Sequence, residues 1–348
     1  MKDCYKTINI IKLRQNIKFI KNYLKNTKFC AVVKSNAYGH NTSIVCHAIA
    51  DCVDYFAVSC NDEAIKVRNL CPLTPCLILQ PVSKNNLSNA IRCGAIFSVQ
   101  SEKDIQTLNI EARKVNKIAY YHIQINSGMN RFGITKKDNF DYKEHKYIYT
   151  KLAGIYSHFG AGTYPEEERT KQQIAKFNAL SKSYSNSIIR HFCNTQNIFS
   201  TPQEHLDMVR SGIGIYGYGN KFLQPIMQVY AKILSIQNVE KGDYIGYGLD
   251  CVAKSDMRIA TLAIGYADGL PRMWAKTGFV LINGKKAKIV GNICMEATFV
   301  DISNITAKID DYATILSDLP ILNAEILANG CKTIPYEILT NFRNIPTK

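Results

Sequence analysis

The sequence predicts an α/β fold in which an N-terminal (β/α)8 barrel of the TIM type is followed by a mostly-β C-terminal domain. Three observations favour this fold class. Up to about residue 222, eight short apolar runs alternate with segments of helical periodicity, as expected for parallel strands joined by helices. Beyond that point the apolar runs are rich in β-branched residues and separated by turn signals. The length of 348 residues suits two domains, which we place at 1–222 and 223–348.

The strand candidates of the first domain are short, and several lack strict alternation of apolar and polar residues. That pattern is typical of strands that are buried on both faces. They are the runs 30–33, 55–59, 76–79, 96–99, 119–125, 152–157, 188–192 and 208–216. Amphipathic segments between them predict helices, for example at 42–50, 61–70, 102–115 and 166–185. A doubly wound open sheet is the alternative arrangement of the same elements.

The second domain is predicted to be built from hairpins. Asn283 and Gly284 lie inside the run VLINGKKAKIV, and this dipeptide is a strong signal for a two-residue hairpin turn. The strand candidates of this domain are the runs 226–239, 257–264, 279–282, 288–290 and 297–300.

Composition excludes several classes of protein. The twelve cysteines are scattered without CxxC pairs, which favours free thiols in a reducing compartment over disulfides or a metal site. The segment MKDCYKTINIIKLRQ lacks the apolar core of a signal peptide, and no run is long enough to span a membrane. The net charge of +15 is dispersed rather than gathered into a stripe interleaved with aromatic residues. We therefore expect a cytoplasmic protein without a metal, a membrane or a nucleic acid as partner.

Polar residues stand where the predicted barrel strands end, which is where barrel enzymes place their functional groups. Lys34 directly follows the apolar run AVV. A partly desolvated lysine has a lowered pKa and attacks carbonyl carbons, although a lone lysine at a strand end more often just extends its amine into water. Further polar residues at or just beyond strand ends are Gln124, Asn126, Arg131, His158, Asn194 and Thr195, and Arg210 lies within the last strand candidate.

The segment AVVKSNAYGH around Lys34 resembles the cofactor-binding signature of the alanine racemases, in which the lysine carries pyridoxal phosphate. The resemblance keeps its order and spacing over nearly the whole chain. It continues through NSGMNRFG at 126–133, GIYSHF at 154–159, MVRSGIGIYG at 208–217, GYG at 246–248, GYADGLPR at 265–272, GNICME at 291–296 and TIPYE at 333–337. It implies pyridoxal phosphate as cofactor and the interconversion of L-alanine and D-alanine, which supplies D-alanine for peptidoglycan.

The resemblance implies that Lys34 and Tyr247 are the catalytic acid/base groups on opposite faces of the bound substrate. Racemisation needs such a pair, because one face loses the Cα proton while the other receives one. By the family pattern, Lys34 serves the D-substrate and Tyr247 the L-substrate. His158 and Arg210 would form a polar chain behind Tyr247, whose positive charge favours the phenolate. Without the resemblance, Tyr247 would be interpreted as an aromatic residue packed in a β-domain.

The resemblance also implies which residues contact the cofactor. They are Lys34, Tyr38, His158, Asn194, Thr195, Arg210, Gly212, Ile213 and Tyr336. Arg210 would face the pyridine nitrogen and disfavour its protonation, because a guanidinium does not give up a proton readily. The run GIGIYG at 212–217 also matches the dinucleotide fingerprint GxGxxG. That signal is weak here, since no acidic residue lies at the required distance and no clear βαβ unit follows.

The carboxylate of the substrate would meet Arg131, Tyr266 and the backbone N–H of Met295, by the same resemblance. Tyr247, Tyr266 and Met295 belong to the second predicted domain, whereas Lys34 belongs to the first. In the family these groups come from opposite subunits. The resemblance therefore implies a homodimer whose active sites are shared.

The chain departs from the family pattern at three places. Gln124 stands where the family commonly has a lysine, often carbamylated, that orients the arginine corresponding to Arg131. An anion such as chloride would replace the missing charge, or Arg131 would be held less firmly. Asn126 and Ser127 replace Asp-Thr, and Glu296 replaces an aspartate. These changes leave Lys34 and Tyr247 in place, so they bear on rate and substrate preference rather than on the reaction type.

Three alternative functions remain open at this point. A racemase of serine or of broader scope would use the same residues with a different pocket wall. A non-catalytic pyridoxal-phosphate barrel protein would lack a β-domain and would have no use for the pair of Lys34 and Tyr247. A barrel-plus-β decarboxylase would share the architecture, but its motifs differ and this chain is short for one.

Overall fold

The computed structural model describes residues 3–135, 146–160, 167–182, 184–185 and 187–348. The chain forms two compact units. The barrel unit contains Leu13–Ala37 and Thr42–Leu223. The sheet unit contains Met1–Lys12, Tyr38–Asn41 and Gln224–Lys348. The strands are numbered along the chain from β1 (Cys4–Ile8), which belongs to the sheet unit.

The barrel unit is built around a closed barrel of eight parallel strands. They are β2 (Lys28–Val32), β3 (Tyr55–Val58), β4 (Cys76–Pro81), β5 (Ile96–Val99), β6 (Ala119–Gln124), β7 (Thr150–Tyr156), β8 (Ile189–His191) and β9 (Met208–Ser211). Each strand pairs with the next, and β9 returns to pair with β2. The barrel predicted from the sequence is therefore confirmed, and the open-sheet alternative is wrong because an open sheet leaves its two edge strands unpaired with each other.

The elements between the strands are mostly helices. They are α1 (Ile10–Lys21), α2 (Lys34–Tyr38), α3 (Thr42–Ile49), α4 (Asn61–Leu70), α5 (Leu87–Arg92), α6 (Glu102–Lys114), α7 (Glu168–Ser181) and α8 (Thr195–Ser200). In α6 the Ser101 side chain accepts the Asp104 N–H, and acidic residues in its first turn and basic ones in its last favour the helix dipole. The element α2 is a left-handed turn. The predicted helix 166–185 corresponds to α7 (Glu168–Ser181). Two positions of the prediction, Glu166 and Ser183, lie outside the described residues.

The sheet unit contains a seven-stranded sheet in the order β1-β10-β11-β14-β13-β12-β15, in which neighbouring strands run antiparallel. Its further elements are β10 (Met227–Val239), β11 (Met257–Leu262), β12 (Phe279–Ile282), β13 (Lys285–Val290), β14 (Thr298–Asp301), β15 (Tyr312–Leu316), α9 (Ala324–Cys331) and α10 (Pro335–Asn341). Asn283 and Gly284 have positive φ values of 49° and 75° between β12 and β13, as the hairpin signal predicted. The mostly-β character of this region is confirmed.

The first strand, β1, pairs with β10 of the sheet unit, with Cys4 opposite Ala231 and Ile8 opposite Met227. The predicted boundary near residue 222 would assign this segment to the barrel. The domain boundary near residue 222 stays a prediction. The backbone hydrogen bonds of β1 are nevertheless made with residues of the sheet unit. The sequence therefore supplies the sheet from both of its ends.

Within the described ranges, no helix is long and apolar enough to cross a bilayer. All twelve cysteines are free thiols. No group of three or more His, Cys, Asp or Glu side chains in the described part of the chain is arranged to hold a metal ion.

Candidate active site

Lys34 lies at the carboxyl end of β2, directly after the buried Val33, whose N–H donates to the Ala57 carbonyl at 2.8 Å. Its side chain is half-buried. Burial lowers the pKa of Lys34, the charge of Arg131 lowers it further, and Glu63 opposes the shift. More of the amine is therefore neutral near pH 7 than in a free lysine, which is the form that attacks a carbonyl carbon.

The residues after Lys34 form the left-handed turn α2. Ser35, Asn36 and Ala37 have φ values of 55°, 54° and 54°, a conformation that costs an L-residue about 1–2 kcal/mol. Side chains of the barrel unit hold the turn. The Ser35 N–H donates to Glu63 Oε1 at 2.6 Å, and Asn36 Oδ1 accepts the Thr42 N–H at 2.9 Å. Such over-determined strain is found preferentially at functional sites.

Arg210 lies in β9 and is only 3% exposed. Its Nη2 donates to the carbonyls of Ser157 at 2.7 Å and Phe192 at 3.2 Å, and lies 3.5 Å from His158 Nδ1. Its Nη1 lies 2.5 Å from His191 Nδ1. The guanidinium is thus held on both of its terminal nitrogens, which fixes its orientation.

Three histidines around Arg210 are neutral. Burial and the charge of Arg210 lower the pKa of His158 to about 3 and that of His122 to about 3, and they lower the pKa of His191 as well. Because arginine only donates, His191 Nδ1 must accept, so its Nε2–H donates to His122 Nδ1 at 2.8 Å. The positive charge of this polar chain therefore resides on Arg210.

The sequence analysis did not single out His122 and His191. Both are fully buried and occupy inward positions of β6 and β8. The available signal was a histidine inside each of two otherwise apolar strand candidates, because a buried polar side chain requires a partner.

Thr195 and Gly212, both predicted to contact the cofactor phosphate, lie together in the structure. Thr195 Oγ1 accepts the N–H groups of Gly212 at 3.1 Å and Gly214 at 3.3 Å. A Cβ added at Gly214 would lie 2.7 Å from Ser211 Oγ and from Thr195 Cγ2, so only glycine allows this approach. A hydroxyl beside a glycine-rich backbone segment is a setting in which proteins bind phosphate. Ile213 continues the same segment.

Asn194 uses its side chain locally. Its Oδ1 accepts the N–H groups of Gln196 at 3.0 Å and Asn197 at 3.3 Å and so caps α8. The cap fixes the start of α8, where the neighbouring Thr195 lies.

Arg131 lies in a loop that Asn126 closes. Asn126 Oδ1 accepts the N–H groups of Gly128 and Asn130, each at 3.1 Å. Arg131 forms no ion pair with any residue that the structure describes. The side-chain oxygen of Gln124 is buried without a hydrogen-bond partner among those residues. The neutral replacements at 124 and 126 thus leave Arg131 without a described carboxylate partner.

In the sheet unit, Tyr38 and Tyr336 lie side by side, with ring centroids 6.0 Å apart. Burial raises the pKa of both phenols, so each remains a hydrogen-bond donor near pH 7. Gly39 packs directly on the Leu339 carbonyl, which an added Cβ would approach to 2.2 Å. This contact fixes Tyr38 next to the helix α10 that carries Tyr336.

Tyr247, Tyr266 and Met295 line one cavity of about 670 Å³ in the sheet unit, together with Arg272 and Glu296. The Tyr247 side chain is 75% exposed. The backbone around the other two is rigid, because the N–H groups of Tyr266 and Ala267 donate to the carbonyls of Cys294 and Met295 at 3.0 and 2.9 Å. The structure therefore groups these three predicted residues on one concave surface.

A closed parallel barrel with polar side chains gathered at and beyond the carboxyl ends of its strands defines a class of protein, the barrel enzymes. The alanine racemase N-terminal domain family matches residues 8–220, and the alanine racemase C-terminal domain family matches residues 226–347. The chain belongs to the alanine racemase family. The resemblance deduced from the motifs is thereby confirmed.

Individual relatives agree over nearly their full lengths. Alanine racemase 2 of Oceanobacillus iheyensis is 32% identical over 97% of this chain and 90% of its own length. The alanine racemase of Vesicomyosocius okutanii is 34% identical, with 94% and 93% covered. The solved alanine racemase of Clostridium difficile 630 superposes with a TM-score of 0.89 at 32% identity, covering 98% of this chain and 93% of that one.

A solved alanine racemase from Bartonella henselae carries covalently bound pyridoxal phosphate. It superposes with a TM-score of 0.87 at 26% identity and covers 98% of both chains. A structure of the Clostridium difficile enzyme in complex with cycloserine matches as well, with a TM-score of 0.88 at 30% identity and coverage of 98% and 94%.

Proposed function

We propose that this chain is an alanine racemase, which interconverts L-alanine and D-alanine with pyridoxal phosphate bound at Lys34. The observation that carries the proposal is the position of Lys34 in a chain matched by both domains of the family. It is half-buried at the carboxyl end of the first barrel strand, in the field of Arg131, and its pKa is lowered. Bound pyridoxal phosphate withdraws electrons from the substrate Cα and so makes its proton removable.

The donors that would hold the cofactor fit its groups. The Thr195 hydroxyl, the backbone N–H groups of Gly212 and Ile213, and the phenols of Tyr38 and Tyr336 would bind its phosphate. They supply hydrogen-bond donors to an anion without requiring a charged side chain. The tight approach at Gly214 supports this assignment, because it holds the backbone segment that contains Gly212 and Ile213 against Thr195.

Arg210 would meet the pyridine nitrogen and keep it unprotonated, since an arginine donates and does not transfer its proton. The bonds to Ser157, Phe192 and His191 support that role because they prevent the guanidinium from turning away. His158 would stand beside it as a neutral hydrogen-bonding group.

Lys34 and Tyr247 would move the proton. The Lys34 amine takes the Cα proton from D-alanine or returns it, and the Tyr247 hydroxyl does the same on the opposite face for L-alanine. The Arg131 guanidinium, the Tyr266 phenol and the Met295 N–H would bind the substrate carboxylate and so orient the Cα–H bond between the two bases.

We also propose that the active form is a homodimer in which Tyr247, Tyr266 and Met295 of one subunit complete the site of the other. The 75% exposure of Tyr247 supports this part of the proposal, because a proton-transfer group functions best where water is excluded. We further propose that the enzyme is cytoplasmic and supplies D-alanine for peptidoglycan.

The alternative functions are not favoured. A non-catalytic carrier would lack the sheet unit, which here matches the C-terminal domain of the alanine racemases. A decarboxylase would not match both domains of this family. A serine or broad-specificity racemase would use the same machinery, and the named relatives are alanine racemases.

A chiral amino-acid assay in deuterated water tests the proposal. L-alanine should give D-alanine that carries deuterium at Cα, with L-serine converted much more slowly. Borohydride reduction followed by peptide mapping should locate the cofactor on Lys34. Absence of exchange with L-alanine contradicts the activity, and labelling of another lysine contradicts the cofactor site.

A further inference from the structure

Glu63 connects two barrel strands at the end where Lys34 lies. It is the third residue of α4, and its side chain turns back from the first turn of that helix. Its Oε1 accepts the Ser35 N–H at 2.6 Å, and its Oε2 accepts both the N–H of Ser59 at 2.8 Å and the Ser59 hydroxyl at 2.6 Å. Ser35 follows β2 and Ser59 follows β3, so one carboxylate joins the ends of both strands.

The bond to Ser35 acts on the strained turn. Ser35 directly follows Lys34 and is the first of the residues with left-handed φ values. Each of them disfavours that conformation, so the turn persists only if other groups hold it. A short bond from an N–H to a carboxylate is of the stronger kind, and it holds the peptide next to the functional amine.

The carboxylate also acts on the amine through its charge. Among the groups that shift the titration of Lys34, Arg131 from the loop after β6 disfavours the ammonium, and Glu63 from α4 favours it. His158 at the end of β7 is neutral near pH 7 because its pKa is about 3. Glu63 therefore offsets the nearby cation.

We propose that Glu63 is a positioning residue for Lys34. The Glu63 carboxylate holds the left-handed turn that follows the lysine and places a negative charge opposite the positive charge of Arg131. This inference rests on the proposed function, in which Lys34 carries the cofactor and moves a proton. It differs from ordinary helix capping. A glutamate at the third helical position commonly accepts hydrogen bonds from residues just before the helix. Capping of α4 would need only the bonds to Ser59, whereas the bond to Ser35 links Glu63 to the segment after β2.

The test compares three variants of the full-length chain. Glu63→Gln removes the charge and one acceptor, and Glu63→Asp keeps the charge on a shorter side chain. Asp62→Asn is the matched control, because Asp62 is the adjacent exposed acid on α4 and bonds Asn86 instead, at 2.6 Å. Two quantities are measured for each: kcat/KM for alanine in the loaded enzyme, and the pH dependence of the rate at which pyridoxal phosphate attaches to chains from which it has been removed.

We expect Glu63→Gln to lower kcat/KM by roughly tenfold or more and to move the midpoint of the attachment profile to lower pH, because loss of the charge lowers the pKa of Lys34. Glu63→Asp should keep the midpoint near that of the unmodified chain. Asp62→Asn should change neither quantity.

Two results overturn the proposal. The first is a Glu63→Gln enzyme whose thermal stability falls while its attachment midpoint stays unchanged, since that is the signature of helix capping alone. The second is an equal shift of the midpoint in Asp62→Asn, which would assign the effect to general surface charge. If the unmodified chain attached the cofactor to Lys34 but did not racemise alanine, the proposed function would fail while the attachment profiles still decided the role of Glu63.

Discussion

Arg210 in the barrel unit is buried, whereas Tyr247 and Met295 in the sheet unit are exposed to solvent. In the barrel unit, Arg210 is 3% exposed and three of its contacts are with backbone carbonyls or His191. In the sheet unit, Tyr247 is 75% and Met295 59% exposed, and they line an open cavity. Arg210 is thus held in place by its own unit, whereas the side chains of Tyr247 and Met295 are open to solvent.

The difference in burial explains why the geometry of Arg210 is fixed and that of Tyr247 is not. Buried charges require several hydrogen bonds, and those bonds fix their geometry at the same time. An exposed phenol such as that of Tyr247 lacks such support within its own unit. A site completed by a second subunit therefore suits the sheet residues better than the barrel residues, and the predictions below test this contrast.

Removal of the barrel amine should give the largest effect. Lys34→Ala is expected to abolish covalent cofactor attachment and to lower racemisation by about a thousandfold or more. Lys28→Ala is the matched control, because Lys28 is exposed at the opposite end of the same strand. Visible absorbance and the alanine assay measure both effects. A Lys34→Ala enzyme that retained a borohydride-fixed cofactor would contradict the site.

Removal of the sheet phenol should leave the cofactor in place. Tyr247→Phe is expected to lower racemisation by about a thousandfold while absorbance and borohydride labelling stay normal. Tyr244→Phe serves as control, since Tyr244 is a comparably exposed tyrosine, at 61%, three positions away. Undiminished activity of Tyr247→Phe would refute the two-base scheme.

A mixture of the two inactive variants decides whether sites are shared. Random re-association of Lys34→Ala with Tyr247→Phe subunits puts half of the dimers in mixed form, and each mixed dimer contains one intact site if the sites are shared. We expect recovery of about a quarter of the normal activity. Sites that lie within one chain would recover none, because every chain in the mixture lacks one base.

Sequence patterns sufficed for the barrel because its strands are short apolar runs in regular alternation with helices. The same reasoning put Lys34 directly after the first barrel strand, Thr195 after the seventh and Arg210 within the last, and the structure has Lys34 after β2, Thr195 at the start of α8 and Arg210 within β9. It missed β1, because the five residues Cys4–Ile8 carry no signal that their partner is β10, more than two hundred positions away. It also missed β15 and the helices α9 and α10.

Some of the charged and polar partners of Lys34 and Arg210 could not be predicted from the sequence. Glu63 carries no motif that links it to Lys34, and its role follows only from the pairing of β2 with β3. The histidine chain from Arg210 to His122 likewise depends on β6, β8 and β9 lying close together in the closed barrel. The roles of Tyr247 and Tyr266 were inferred by resemblance, and the proposed second subunit on which they depend is described by no pattern in a single chain.

Acid should lower the stability of the protein through the buried histidines of the barrel unit. His122 and His158 have folded-state pKa values of about 3, below the value of about 6.5 for an unfolded histidine. Between those values the unfolded chain binds more protons, so the free energy of unfolding falls as the pH is lowered, by up to about 1.4 kcal/mol per pH unit for each group. Chemical denaturation from pH 7 to pH 4 measures this slope.

The variant His122→Phe should flatten the acid slope, whereas His47→Gln, which replaces an exposed histidine of α3, should leave it unchanged. Loss of the bond to His191 will lower the stability of His122→Phe at neutral pH, so the slope and not the absolute stability carries the test. An unchanged slope in His122→Phe would show that this histidine is not held neutral.

The smallest effect is expected at the loop that carries Arg131. Asn126→Ala removes the acceptor for the N–H groups of Gly128 and Asn130, each bond contributing about 1 kcal/mol, and so loosens the loop. The KM for alanine should rise several-fold with little change in kcat, because the proposed role of Arg131 is to bind the substrate carboxylate and not to transfer a proton. Asn126→Asp keeps the side-chain acceptor and should stay close to the unmodified enzyme. A fall in kcat at unchanged KM would instead mean that the loop orients the reacting bond.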